Sequence, residues 1–206
     1  MAKLYYRYGV MGSGKSAAIS IVAHNYRTVG QKAYVIKPSV DTKVAAVVSS
    51  RIDALSIPAD LVCGADDDLY AMIGQLDHRP GAVIVDESQW LTVDQVDQLF
   101  MIAVRLDIPV LCYGLRTDYR GQLWNSAGRL FALAHDLQEL KMVCRCGRKA
   151  TFSMLTADPA GAQHNDQGSP ILIGADEAYV AVCEKHFLEL ASYNHSLSHA
   201  QEACAA

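Results

Sequence analysis

The stretch Gly9-Val10-Met11-Gly12-Ser13-Gly14-Lys15-Ser16 fits the pattern G-x-x-x-x-G-K-[S/T] without a mismatch, and it dictates local structure before anything else about the chain is known. Small residues let successive backbone N–H groups curl around phosphate oxygens, Lys15 can reach β and γ phosphates, and the Ser16 hydroxyl can bind Mg²⁺. Such a loop points to a nucleoside triphosphate, provided that a strand precedes it and a helix follows. Both are present. Leu4, Tyr6 and Tyr8 alternate with other residues as a strand does, and Ala18, Ile19, Val22 and Tyr26 recur at helical spacing from Lys15 to about Arg27, with Gly30 as the stop signal.

Strand-like runs recur at residues 4–8, 33–37, 82–85 and 109–113, with helical patterns between them, among them residues 93–106 capped by Thr92. This alternation predicts an α/β fold with a mainly parallel sheet flanked by helices. Ligands of such sheets bind beyond the carboxyl ends of the strands, so the loops after Tyr8, Lys37, Val85 and Tyr113 are expected to face one site. From about Leu140 the alternation stops, paired Cys and Cys/His groups appear, and residues 156–170 are rich in Gly, Pro, Asp and Gln. Residues 1–140 therefore read as a phosphate-loop domain, 141–190 as a small second unit, and 191–206 as a helix end and loose tail.

With 206 residues and 51% hydrophobic content, the chain can bury the core of one domain with a small appendage. A net charge of −4 and no Lys/Arg cluster argue against a general nucleic-acid binder. No charged-then-apolar leader and no apolar run of about 18 residues occur, so a cytoplasmic protein is expected. The six cysteines, Cys63, Cys112, Cys144, Cys146, Cys183 and Cys204, are unevenly spread and suit reduced thiols. Cys63 and Cys112 have apolar neighbours and read as core.

Two further groups carry chemistry. Asp86 and Glu87 end an apolar run about seventy residues after Lys15, as a Walker B element would. Asp86 would hold Mg²⁺, directly or through water; alternation along the strand would then leave Glu87 free to accept a proton from an attacking hydroxyl or water. The pair also suits a plain strand followed by an acidic helix cap. Cys144-Arg145-Cys146-Gly147 and Cys183-Glu184-Lys185-His186 supply three thiols and an imidazole, a donor set for a tetrahedral structural Zn²⁺. Buried cysteines beside a surface histidine are the other reading.

Taken together, Gly9 to Ser16 with Met11 inside it, Lys37-Pro38 followed by Asp41, Ser50-Arg51, Asp86-Glu87-Ser88-Gln89-Trp90-Leu91, the run from Tyr113 to Arg120, Cys146-Gly147-Arg148-Lys149-Ala150, and Ile171-Leu172-Ile173-Gly174 leading to Tyr179 and Cys183-x-x-His186 resemble one family. It is that of the thymidine kinases of the cytosolic and bacterial type, and the resemblance covers residues 3 to 187. It implies a RecA-like phosphate-loop domain that binds ATP and a small C-terminal zinc-binding lasso domain that closes over a nucleoside. The implied reaction transfers the γ-phosphoryl group of ATP to the 5′-hydroxyl of deoxythymidine, giving dTMP in nucleoside salvage.

Carried over residue by residue, Glu87 resembles the catalytic base. Gly9, Val10, Met11, Gly12, Ser13, Gly14, Lys15, Ser16, Asp86 and Gln89 resemble the ATP and Mg²⁺ group. Met11, Trp90, Leu115, Tyr119, Ser153, Leu172 and Tyr179 match nucleoside-binding positions, and Asp41 and Arg51 match a segment near the reacting phosphates. The resemblance also implies structural Zn²⁺ on Cys144, Cys146, Cys183 and His186, a homotetramer, and feedback inhibition by dTTP. Three positions depart from the family's usual pattern: Lys43 stands for Arg, Trp90 for Phe, and one residue instead of two separates Cys144 from Cys146. Two other readings are a phosphate-loop ATPase acting on nucleic acid through a zinc knuckle, and a regulatory nucleotide-binding module.

Overall fold

The computed structural model describes residues 1–39, 47–48, 56–155, 163–164, 170–171 and 179–189. Asp41, Lys43, Arg51, Leu172, Cys204 and the tail lie outside the described residues.

The chain opens with β1 (Leu4–Gly9), the phosphate-loop turn, α1 (Lys15–Thr28) and β2 (Ala33–Pro38). A short ribbon, β3 (Val47–Val48) with β4 (Ile57–Pro58), and β5 (Leu61–Cys63) follow, then α2 (Leu69–Gly74), β6 (Ala82–Val85), a 3-10 turn (Ser88–Trp90) and α3 (Val93–Arg105). Next come β7 (Val110–Gly114), α4 (Asn125–Leu133) and β8 (Asp136–Leu140). The main sheet has the order β5-β2-β6-β7-β1-β8, and each of its pairings is parallel.

Strand periodicity sorts its side chains into two layers. Val35, Ile84 and Tyr113 pack with Ile19 and Ala23 of α1 on one face. Their neighbours Ile36, Val83, Val85 and Cys112 pack with Leu69, Val96, Leu99, Ile102 and Leu130, from α2, α3 and α4, on the other. β6, covered by helices on both faces, is apolar throughout and fully buried along its length. Cys63 and Cys112 lie in the core, as expected.

Local signals set the helix ends. Gly14, in the left-handed conformation at φ 84°, starts α1. Thr92 and Gln95 form a capping box at α3, with Gln95 N donating to Thr92 Oγ1 at 3.1 Å and Thr92 N to Gln95 Oε1 at 3.2 Å. The outermost strands, β5 and β8, were not anticipated from the sequence. β8 reads Asp-Leu-Gln-Glu-Leu and is largely exposed, so it carries no apolar run; its parallel ladder to β1 and the Arg7–Asp136 ion pair hold it.

Beyond Leu140 lie the antiparallel ribbons β9 (Met142–Val143) with β10 (Lys149–Ala150), β11 (Phe152–Leu155) with β14 (Tyr179–Val182), and β12 (Gln163–His164) with β13 (Pro170–Ile171). Cys144, Ala150, Met154, Val182 and Cys183 form a separate apolar cluster there, which also takes in Val10 of the phosphate loop. Among the described residues no helix is long and apolar enough to cross a membrane.

Candidate active site

β1 ends at Gly9 and α1 begins at Lys15, so the intervening loop crosses from sheet to helix at the carboxyl end of a central strand. Lys15 is buried, and its Nζ donates to Val10 O at 3.0 Å. The ammonium is thereby held against the loop that would cradle a triphosphate.

β6 delivers Asp86 to the same end of the sheet, where Asp86 N donates to Ile36 O at 3.0 Å and the side chain is 3% exposed. Burial pushes the Asp86 carboxyl above its ordinary range, to about 7, and the neighbouring Glu87 charge adds to this, while Lys15 and, less strongly, Lys37 pull the other way. Lys37, which the sequence placed at a strand end facing the site and in the Lys37-Pro38 pair but gave no role, is 1% exposed and belongs to this charge cluster. A buried carboxylate in this setting, with a second acid beside it and the Ser16 hydroxyl at the start of α1, fits the oxygen donor set that Mg²⁺ takes alongside a phosphate.

Alternation along the strand is not what separates the two acids. β6 stops at Val85, and Glu87 sits in the left-handed region at φ 49°, ψ 43°, ahead of the 3-10 turn. A residue other than glycine held there costs on the order of 1–3 kcal/mol, and such strain collects at functional sites. Asp86 Oδ1 accepts from Glu87 N at 3.0 Å, and Glu87 Oε2 accepts from Gln89 Nε2 at 2.5 Å.

Gly114 makes room for this turn from the end of β7. A Cβ there would meet Ser88 Oγ at 2.4 Å, Gln89 Oε1 at 2.9 Å and Gln89 N at 3.2 Å. Gly114→Ala is accordingly expected to destabilise the fold by about 1–3 kcal/mol and to lower turnover as the turn shifts, measurable by thermal melts and steady-state rates on the same preparation.

The described nucleoside candidates are held by contacts from several elements. Met11 N donates to Ser153 Oγ at 3.0 Å, so the phosphate loop touches the β11–β14 ribbon directly. Leu115 is held twice, accepting from Tyr6 Oη at 2.9 Å on its carbonyl and donating to Gln89 Oε1 at 3.0 Å from its N–H. Trp90 meets Trp124 edge-on at a centroid distance of 5.1 Å. The larger ring that replaces phenylalanine thus has a partner within the fold.

Tyr119 sits on a turn organised by buried Asp118, which accepts from Arg120 N and Gln122 N, each at 2.9 Å. Burial raises the Tyr119 hydroxyl above its ordinary range; Arg120 opposes this, while Asp118 and Tyr179 add to it. Arg116, not singled out from the sequence, donates to Thr151 O at 3.1 Å and ties the loop after β7 to the chain before β11.

Cys144, Cys146, Cys183 and His186 come together, with their ligand atoms all within 4.8 Å of one another. Cys146 Sγ lies 3.7 Å from Cys183 Sγ, His186 Nδ1 lies 3.1 Å from Cys144 Sγ and 3.7 Å from Cys183 Sγ. Zinc–sulfur bonds of about 2.3 Å give a tetrahedral sulfur–sulfur edge of about 3.8 Å, so the group fits a structural Zn²⁺. Gly147, at φ 82°, resolves the short Cys144-x-Cys146 spacing: its N–H donates to Cys144 O at 2.8 Å, and Cys144 N donates to Arg148 O at 2.7 Å, closing a tight knuckle. The Cys146 N–H is the main cause that brings the Cys144 thiol down to about 6, which favours the thiolate that a metal binds.

The family model described as "Thymidine kinase" matches residues 2–187. The chain is similar to proteins named "Thymidine kinase" from Shigella dysenteriae serotype 1 (44% identical over 193 residues, 92% of each chain) and Escherichia coli K12 (44% over 193 residues, 92% of each). It is similar also to that of Ruegeria pomeroyi (40% over 192 residues, 92% of this chain and 95% of the relative). With this agreement over nearly the whole length, and with a phosphate loop, a buried acidic turn and a Cys/His cluster arranged around one end of a parallel sheet, the chain belongs to the thymidine kinase family.

Proposed function

We propose that the chain transfers the γ-phosphoryl group of ATP to the 5′-hydroxyl of deoxythymidine, giving dTMP in nucleoside salvage. Family membership supports the substrate class. The observation that carries the two-substrate reading is the hydrogen bond from Met11 N to Ser153 Oγ, because it makes one residue of the phosphate loop part of the wall against which a nucleoside would lie.

In this reading Lys15 and the loop N–H groups hold the triphosphate. Glu87 accepts the proton of the 5′-hydroxyl as the hydroxyl oxygen attacks the γ phosphorus. Ser16 and Asp86 would hold Mg²⁺, whose chemistry is to neutralise charge on the β and γ phosphates. Met11, Trp90, Leu115, Tyr119, Ser153, Leu172 and Tyr179 would line the nucleoside site, an apolar and aromatic pocket with backbone groups for the polar edge of the base. Asp41 and Arg51, with Leu172 outside the described residues, keep the roles that the resemblance implies.

The reading extends to residues 141–190 as a zinc-stabilised unit that closes over the nucleoside and excludes water, and to a cytoplasmic homotetramer inhibited by dTTP. Incubation of the full chain with MgATP and thymidine is expected to yield dTMP and ADP in equal amounts. ADP released without dTMP would contradict the proposal.

A further inference from the structure

Gln89 matches a position in the family's ATP and Mg²⁺ group, yet both ends of its side chain are engaged elsewhere. It is 4% exposed. Its Oε1 accepts from Leu115 N at 3.0 Å, its Nε2 donates to Glu87 Oε2 at 2.5 Å, and its main-chain carbonyl accepts from Ser126 Oγ at 2.8 Å. The orientation of the amide follows from donor and acceptor chemistry alone: a backbone N–H can only donate, so Oε1 must face Leu115, and the NH₂ group must then face the carboxylate.

Glu87 needs such a partner. It stands in a left-handed conformation at the head of a three-residue 3-10 turn, where the backbone offers no helical repeat to define the direction of the side chain. Gly114 contributes by its lack of a Cβ, which leaves space for the Gln89 amide at the end of β7.

We propose that Gln89 is a positioning residue: its amide fixes the Glu87 carboxylate relative to the Leu115 main chain, so that the other carboxylate oxygen, Oε1, is presented to the 5′-hydroxyl of a nucleoside lying against Leu115. The proposal rests on the reading of Glu87 as the base. It assigns Gln89 to the nucleoside side of the reaction and gives it no direct contact with ATP.

A double-mutant cycle tests it, with kcat and the KM for thymidine and for ATP measured in the wild type, Gln89→Met, Glu87→Gln and the double variant. Gln89→Met keeps the volume and removes both side-chain hydrogen bonds. It is expected to lower kcat by about 10- to 100-fold, the effect of one hydrogen bond to a charged group, and to leave the KM for ATP within about 2-fold. In the Glu87→Gln background the same change should lower kcat by less than about 3-fold, because residues that act as one unit are not additive. Equal losses in both backgrounds would overturn the positioning role and leave the base reading standing. Near-normal turnover in Glu87→Gln alone would remove the base reading and the positioning role with it.

Where Gln89→Met fails to fold, the exchange of Glu87→Gln with Gln89→Glu supplies the second test, since it restores the hydrogen bond with its polarity reversed. Calorimetric thymidine affinity of the exchanged pair should lie within about 3-fold of wild type and well above that of Gln89→Glu alone, while turnover stays low. Affinity no better than that of Gln89→Glu alone would overturn the proposal.

Discussion

Replacing Glu87 with glutamine is expected to lower kcat for thymidine by about 100-fold or more while ATP affinity changes by less than about 2-fold. The substitution keeps the size of the side chain and removes its capacity to take a proton. In the proposed reading, triphosphate binding rests on the loop from Gly9 to Ser16, which lies between β1 and α1 and not in the turn after β6. The charge lost from position 87 also relieves Asp86, whose carboxyl is held up by burial and by Glu87. Binding of MgATP, measured by calorimetry, should therefore be preserved. Near-normal turnover would contradict the base assignment, and a large loss of ATP affinity would show that Glu87 belongs to the triphosphate site instead.

The second large effect is expected from loss of the Cys/His cluster. Cys183 is fully buried and faces both Cys146 and His186, so Cys183→Ser removes a central donor of the four. A closed tetrahedral site contributes directly to folding, and the ribbon of β11 and β14 runs straight into it at Val182 and Cys183. Ser153 of that ribbon carries the contact to Met11, so loosening the ribbon should weaken nucleoside binding before ATP binding. The expected result is about one zinc per chain in the wild type and none in Cys183→Ser. The variant should lose hydrogen-exchange protection over residues 150–155 and 179–183, and its KM for thymidine should rise by about 10-fold or more. A wild-type protein without bound metal, or a variant with intact protection, would contradict the structural role of the cluster.

The parts of the fold that could be read from the sequence are those with two buried faces or a local cap. Residues 82–85 are apolar without a break because β6 is covered on both sides, and Thr92 with Gln95 marks the start of α3 by a capping box. β5 is three residues long and β8 is polar, because an edge strand needs little apolar surface to stay paired. Neither offers a pattern to detect.

The same contrast holds at the candidate site. The phosphate loop and the four Cys and His donors were legible because their chemistry demands particular residue types at particular intervals. Three features were not. The left-handed Glu87 depends on where β6 stops, the double use of Gln89 depends on Gly114 and Leu115 arriving from another strand, and the burial of Lys37 beside Asp86 depends on the pairing of β2 with β6. Each arises from contacts between segments distant in the chain, which spacing along one segment does not encode.

A nucleoside, and thymidine above others, is the proposed phosphoryl acceptor. The most direct measurement is ATP turnover by the full chain against a panel of the common deoxyribo- and ribonucleosides, with single- and double-stranded nucleic acid in parallel reactions. Thymidine is expected to give the highest kcat/KM, with deoxyuridine about 10- to 200-fold lower, the discrimination that one methyl group in an apolar pocket can supply, and with no stimulation by nucleic acid. Turnover that responds to nucleic acid and not to thymidine would contradict the account.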